Sequence, residues 1–216
     1  MNDHPEWNDS RYFNFHDEKS GTTLFMRIGN KPNKDEKSMF MFIIREDLVA
    51  GMKNAEPVTD DKWTATGLRF VKNKEGWHIT YDGPVFTLQD KQPHMYRMDV
   101  QWNPVNPNMN YRDCVDERGE ELSKNVASEH FEQFGHVTGT LVIDGKSIDV
   151  DAYGERDCSE GVRDWGSPRM WLWLNSVYDG RYGFNMTKLS TAMGDVDAGY
   201  FSNGTCNDPV IRTEID

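Results

Sequence analysis

The 216-residue sequence contains no run of about 18 apolar residues, the length that a membrane-spanning helix requires. Its opening, MNDHPEWNDSRYF, has neither the basic nor the apolar region of a secretory signal, so the expectation is a cytoplasmic chain with no membrane insertion. Cysteine is scarce. Cys114, Cys158 and Cys206 are odd in number and widely spaced, with no CxxC pair, which argues for reduced thiols and against a disulfide framework or a zinc knuckle. Positive charge is also in deficit: 24 Lys and Arg face 36 Asp and Glu, for a formal net charge of −12. Such a chain is repelled by nucleic-acid backbones and anionic surfaces, which leaves a small neutral or apolar molecule as the expected partner. No fixed-period repeat and no low-complexity segment interrupts it.

Aromatic and sulfur-bearing side chains are plentiful, with seven Trp, eight Tyr, eleven Phe and eleven Met. They suit either a filled core or an adaptable apolar pocket, and composition does not choose between the two. Period-two alternation of β-formers with frequent turn dipeptides predicts an all-β, antiparallel protein. Strands are expected over 11–16, 22–29, 38–45, 63–71, 77–83, 84–89 and 94–102, and an irregular stretch with a short helix near 117–124 follows. Asp144-Gly145 and Asp179-Gly180 are the strongest hairpin signals, and two weaker strands run to the end. About ten short strands must protect their edges, so the predicted architecture is a lipocalin-like barrel with room for one small ligand, followed by a partial second β-sheet or barrel. The domain division is expected at 1–125 and 126–216.

Directly after the first of those hairpin turns, DAYGERDCSEGVRDWG (151–166) crowds ionisable residues together where a strand should be ending. Proton transfer to or from an alkene or hydroxyl needs a carboxylic acid held neutral near pH 7. Asp157 beside Glu155, Glu160 and Asp164 offers one. Arg156 and Arg163 can instead pair with those carboxylates and leave a structural salt-bridge network. His130, His136 and Glu132 allow a metal site or ordinary strand-end hydrogen bonding, and the second is the reading adopted. Tyr153 can orient a substrate oxygen, and Trp165, Trp171 and Trp173 can line a pocket, although core packing is the simpler role for each. Cys158 lacks a neighbouring base that would make it a nucleophile.

YGERDCSEGVRDWG resembles the GxRDHSWGxRDW signature of a bacterial family related to the carotenoid 1,2-hydratases, within the AttH-like superfamily that includes kievitone hydratase and some cyclases. YFNFHDEKSGTTLFMRIGNKPN, SEHFEQFGHVTGTLVIDGKSIDVDAYG and WLWLNSVYDGRYGF are similar to that family too, so the resemblance covers most of the chain. It implies two lipocalin-like barrels in tandem, the second incomplete here, and a cofactor-independent hydratase or dehydratase acting on a small apolar molecule of terpenoid, steroid or polyketide type. By the same resemblance Asp157 is the proton donor and His130 assists it; in the reading adopted from the residues themselves, Arg156 and Arg163 position the carboxylates. Tyr153, Glu132 and the tryptophans contact the substrate. Cys158, Glu160 and Glu155 stand where that family has histidine, tryptophan and tyrosine. A non-catalytic carrier and a cyclase acting by cavity shape are the alternatives, and an incomplete second sheet implies a homodimer formed through it.

Overall fold

In a computed structural model of the chain, which describes residues 3–115, 117–123, 129–162 and 168–214, both Asp-Gly pairs turn as their chemistry requires. Asp144 and Gly145 have φ of 49° and 82°, and Asp179 and Gly180 have 50° and 61°. Those left-handed pairs match the twist of the strands they join. The strands in chain order are β1 (Trp7–Asp17), β2 (Thr22–Lys31), β3 (Glu36–Arg45), β4 (Leu48–Glu56), β5 (Thr64–Ala65), β6 (Leu68–Lys72), β7 (Trp77–Thr87), β8 (Pro93–Pro104) and β9 (Met109–Asn110). The short helix α1 (Glu117–Ser123) precedes β10 (Glu129–Ile143), β11 (Lys146–Val162), β12 (Pro168–Tyr178), β13 (Tyr182–Thr191), β14 (Gly194–Ser202) and β15 (Asn207–Pro209).

The protein is all-β and antiparallel, with a ring-closed sheet and a second sheet. The first runs β4-β3-β2-β1-β11-β10-β8-β7 and closes where Ala50 and Gly51 of β4 meet Thr87 and Phe86 of β7. The second has the order β12-β13-β14-β15. The 129–162 hairpin belongs to the ring, pairing with β1 on one side and β8 on the other, so the chain changes sheet between Val162 and Pro168 and not near residue 125.

Three local expectations are revised. Leu48–Glu56 forms β4 although Gly51, Lys53, Asn54 and Glu56 are poor β-formers; its pairing with β3 carries it. Residues 63–71 divide because Thr66 and Gly67 take positive φ, 44° and 85°. Residues 77–83 and 84–89 merge into β7, for Pro84 falls in the gap between the end of β6 pairing at Tyr81 and the start of β4 pairing at Phe86. A missing N–H costs no ladder bond on that side.

The ring interior is a packed core and not a ligand chamber. Alternate residues of each strand fill it, among them Phe13, Leu24, Met26, Ile28, Met41, Ile79, Val100, Val137 and Leu141, all at most 1% exposed. Phe13 sits at the centre of edge-to-face contacts with Phe70, Trp77 and Trp102, at centroid distances of 4.9, 5.6 and 5.8 Å. Burial of each such side chain contributes about 1.5–3 kcal/mol.

The second sheet lies on the outer wall of the ring, over β1, β10 and β11. Tyr200 of β14 packs on Phe134 of β10 at 5.0 Å between rings, and α1 seals one margin through Leu122 with Leu189 and Val196. Strands β10 and β11 thus bury both faces along part of their length. The opposite face of the second sheet carries exposed Leu174, Tyr178, Tyr182 and Phe201. Among the described residues, no helix is long and apolar enough to cross a membrane.

Gly135 and Gly154 face each other across β10 and β11 and allow close approach of neighbouring groups. A Cβ at Gly135 would lie 2.0 Å from the Trp102 indole. Gly135→Ala is therefore expected to destabilise the protein by about 1–3 kcal/mol through overpacking. Urea denaturation measures this; a midpoint equal to that of the wild type would show that Trp102 can yield.

Candidate acid–base site

Side chains on one strand alternate between faces, so the crowded segment of β11 splits in two. Glu155, Asp157 and Ser159 point outward, toward the second sheet, whereas Arg156 and Cys158 point to the ring side. Cross-strand register sets His130 opposite Ser159, Glu132 opposite Asp157 and Phe134 opposite Glu155, and on the other side sets Tyr12 of β1 opposite Asp157. The outer wall of the ring thereby presents a row of titratable groups beneath β12, β13 and β14.

These groups form a connected chain. His130 Nε2 lies 2.9 Å from Glu132 Oε1, and its Nδ1 lies 2.8 Å from Ser159 Oγ and 3.7 Å from Asp157 Oδ1. Ser159 donates its hydroxyl proton to Asp157 Oδ1. A serine has one proton to donate, so its oxygen accepts from His130 Nδ1–H, which leaves His130 Nε2 facing Glu132. The edge of the Tyr111 ring meets the imidazole at 4.6 Å and fixes its plane.

Glu132 is 1% exposed, and no hydrogen bond of good geometry reaches its Oε2. Burial holds this carboxyl well above the usual carboxylate range; the charge of Asp157 adds to the shift, and the nearby indole N–H of Trp173 opposes it. Glu155, fully buried, is held by Asn185 Nδ2 at 2.9 and 3.0 Å and by the Tyr200 hydroxyl at 2.9 Å. Burial pushes it up as well, with Glu132 contributing, and the bonds from Asn185 and Tyr200 do not offset this. It ties β11 to β13 and β14.

A cavity of about 350 Å³ opens beside the chain. His130, Glu132 and Asp157 line it with Trp171 and Trp173 of β12, and Asn8, Tyr12, Arg27, Lys31, Glu36, Ser38 and Phe40 form the rest of its wall. Tyr12 stands between Phe40 and Trp173, at 6.4 and 5.3 Å between ring centroids. The space is thus outside the ring, between its wall and the second sheet, and it has one aromatic side and one acidic side.

Of the residues expected at the site, Asp157, His130, Glu132, Trp171 and Trp173 meet at this cavity. Arg156 does not position the carboxylates. It lies on the other face of β11, where it donates to Gln133 Oε1 at 3.1 and 3.0 Å and to Asn108 Oδ1 at 2.7 Å over the Trp102 ring. Tyr153 stacks on His136 at 4.8 Å and packs under the Asp179-Gly180 turn, away from the cavity. Arg163 and Trp165 lie outside the described residues. Burial pushes the Cys158 thiol up to about 11, so it is protonated near neutrality. His136 bonds Asp151 at 2.6 Å, and among the described residues no three His, Cys, Asp or Glu side chains are grouped closely enough to hold a metal ion. Sequence reasoning missed Ser159, Tyr12, Asn8 and Phe40. For Ser159 the signal was present, two residues from Asp157 and so on its face; the others reach the site only through strand register.

Residues 1–209 match the profile of a family described as a domain of unknown function, DUF7064. The chain belongs to the DUF7064 family. No curated protein matches this DUF7064 chain. Among solved structures it resembles an AttH candidate from Nitrosomonas europaea, with a TM-score of 0.66 at 10% identity over 94% of this chain and 68% of the other. It also resembles kievitone hydratase from Nectria haematococca, with a TM-score of 0.56 at 8% identity over 93% and 63% of the two chains. A third resemblance is to CghA crystallised with Sch210972, at 0.52 and 11% over 93% and 59%. The DUF7064 chain thus spans about three fifths of the latter two, and it shares the fold of all three.

The two buried glutamates make stability depend on pH with a defined sign. In the unfolded chain they release protons near 4.5, while in the folded chain they retain them to higher pH. Above pH 4.5 the native state binds more protons, so stability falls as pH rises toward the folded values, by up to about 1.4 kcal/mol per pH unit for each group. Urea unfolding of wild type and Glu132→Gln from pH 5 to 8 should show a flatter decline in the variant. Parallel curves would mean that Glu132 is ionised in the native protein.

Proposed function

We propose that this protein is an acid–base lyase of the hydratase or dehydratase type, acting on a small, largely apolar molecule held between the ring wall and the second sheet. The observation that carries the reading is a buried carboxyl beside the cavity, Glu132, one of whose oxygens faces a histidine while no hydrogen bond of good geometry reaches the other. The fold shared with kievitone hydratase agrees with it, as does the resemblance of the β11 motif to the hydratase signature.

In this reading the proton donor is Glu132, and Asp157 anchors the far end of the chain through Ser159. Hydration of a carbon–carbon double bond begins with transfer of the carboxyl proton to one alkene carbon, whose π electrons form the new C–H bond. Water then adds to the other carbon, and the proton it sheds returns to Glu132 or to His130 Nε2. Dehydration is the reverse, with Glu132 protonating the departing hydroxyl. Positive charge developing on carbon faces the rings of Tyr12, Trp171 and Trp173, whose π faces stabilise it. A group that gives and takes back the same proton needs a pKa near the working pH, and burial moves a glutamate in that direction.

The test uses a panel of prenylated phenols, hydroxylated terpenoids and polyketides incubated in H₂¹⁸O and followed by mass spectrometry. The wild type should yield a product that has gained labelled water or lost water. Glu132→Gln should lower turnover by about 10²–10⁴-fold with the fold intact. Asp157→Asn should cost less, because it alters the end of the chain and not the donor. An isomeric product with no water exchanged would favour a cyclase, and saturable binding without any product would favour a carrier.

A further inference from the structure

Asn8 lies at the far end of the cavity from Glu132, 1% exposed, with no hydrogen-bond partner for its Nδ2. The orientation of its amide follows from chemistry. Arg27 Nη2 approaches at 3.3 Å and can only donate, so the oxygen of Asn8 faces Arg27 and the amide nitrogen is the end left over. A buried donor without an acceptor is costly, and in a native structure it calls for an explanation. Arg27 is itself held at this end by its backbone neighbour in space: a Cβ at Gly29 would sit 2.6 Å from the guanidinium, so the arm lies flat over that glycine.

Between the two ends runs the aromatic wall of Phe40, Tyr12 and Trp173. Asn8 and Tyr12 share the outer face of β1 four residues apart, about 13 Å along the strand. Tyr12 in turn pairs with Asp157, so the unsatisfied donor stands about one ring-system length from the acid–base chain.

We infer that the donor end formed by Asn8 Nδ2 and Arg27 is a binding subsite for an oxygen acceptor, a carbonyl or carboxylate, carried on a flat apolar body at the end remote from the reacting carbon. The inference rests on the cavity assigned above as the reaction site, and it names the substrate class as oxygenated at one end and unsaturated at the other. A purely hydrocarbon ligand leaves Asn8 unpaired.

Equilibrium dialysis of the intact chain against naphthalene, 2-acetonaphthone and 2-naphthoate tests this without any turnover. The wild type should bind one or both oxygenated probes about tenfold more tightly than naphthalene, the ratio expected for one buried hydrogen bond. A preference for the ketone marks a neutral carbonyl subsite, and a preference for the acid marks an anion subsite. Asn8→Asp keeps the acceptor for Arg27 and removes the donor, so it should abolish the preference for the ketone, or reverse that for the acid, while naphthalene binding and thermal midpoint stay near those of the wild type. Asn8→Ala should remove the preference as well, which keeps the test open if one variant folds poorly. Equal affinity of the wild type for all three probes overturns the subsite, as does a preference that persists in both variants. If the preference behaves as stated but Glu132→Gln leaves turnover unchanged, the subsite stands and the acid–base reading fails. If Glu132 controls turnover and no preference exists, only the subsite fails.

Discussion

Most of what is distinctive here depends on one packing event, the laying of the second sheet over the outer wall of the closed ring. A strand in a barrel ordinarily keeps one face wet, so glutamates on the outer face of β10 and β11 would be solvated and ionised. Covered by β12, β13 and β14, Glu132 and Glu155 lose that water, and desolvation becomes the largest influence on both. The protein accommodates them differently. Glu155 receives three hydrogen bonds from Asn185 and Tyr200 and fastens the sheets together, whereas Glu132 meets His130 through one oxygen, and no hydrogen bond of good geometry reaches the other. A buried carboxyl that is fully bonded acts as a structural tie, and one that is half bonded beside a cavity remains available for proton transfer.

The location of the cavity has a similar origin. An eight-stranded ring can either fill its interior or hold one small ligand, and the large inward residues of this one fill it. Phe13, Trp77 and Trp102 meet near its centre, and Met26, Met41 and Met98 occupy the space between strands. With the interior taken, the remaining room lies where the curved wall and the second sheet cannot match along their whole length. Trp171 and Trp173 bridge that mismatch without closing it. The resulting space has walls of unlike chemistry, because the ring supplies the carboxyls and histidine from β10 and β11 while aromatic groups come from β1, β3 and β12.

The solved structures that share this fold differ from the chain at about nine positions in ten, and their likeness extends to architecture alone. Any functional assignment therefore depends on the site's own geometry. The connected chain from Glu132 through His130 and Ser159 to Asp157 is such a geometry, since the serine's one proton goes to Asp157 and its oxygen then accepts from His130.

The sequence by itself determined the all-β class, both Asp-Gly hairpins, the short helix after residue 116 and the importance of the segment around Asp157. Those features are local: period-two alternation, left-handed turn residues and a motif read within sixteen positions. It also placed His130, Glu132, Trp171 and Trp173 among the candidates. Tertiary structure alone decided which face of each strand met the second sheet, and so it separated Arg156 and Cys158 from Asp157, although all three are adjacent in the chain. It removed Tyr153 to another turn, brought Asn8, Tyr12 and Phe40 to the cavity from a distant part of the sequence, and gave Glu132 the burial that raises its pKa. The reason is that a strand's alternation tells which residues share a face but not what covers that face. Covering depends on register and on sheet-to-sheet packing between distant segments.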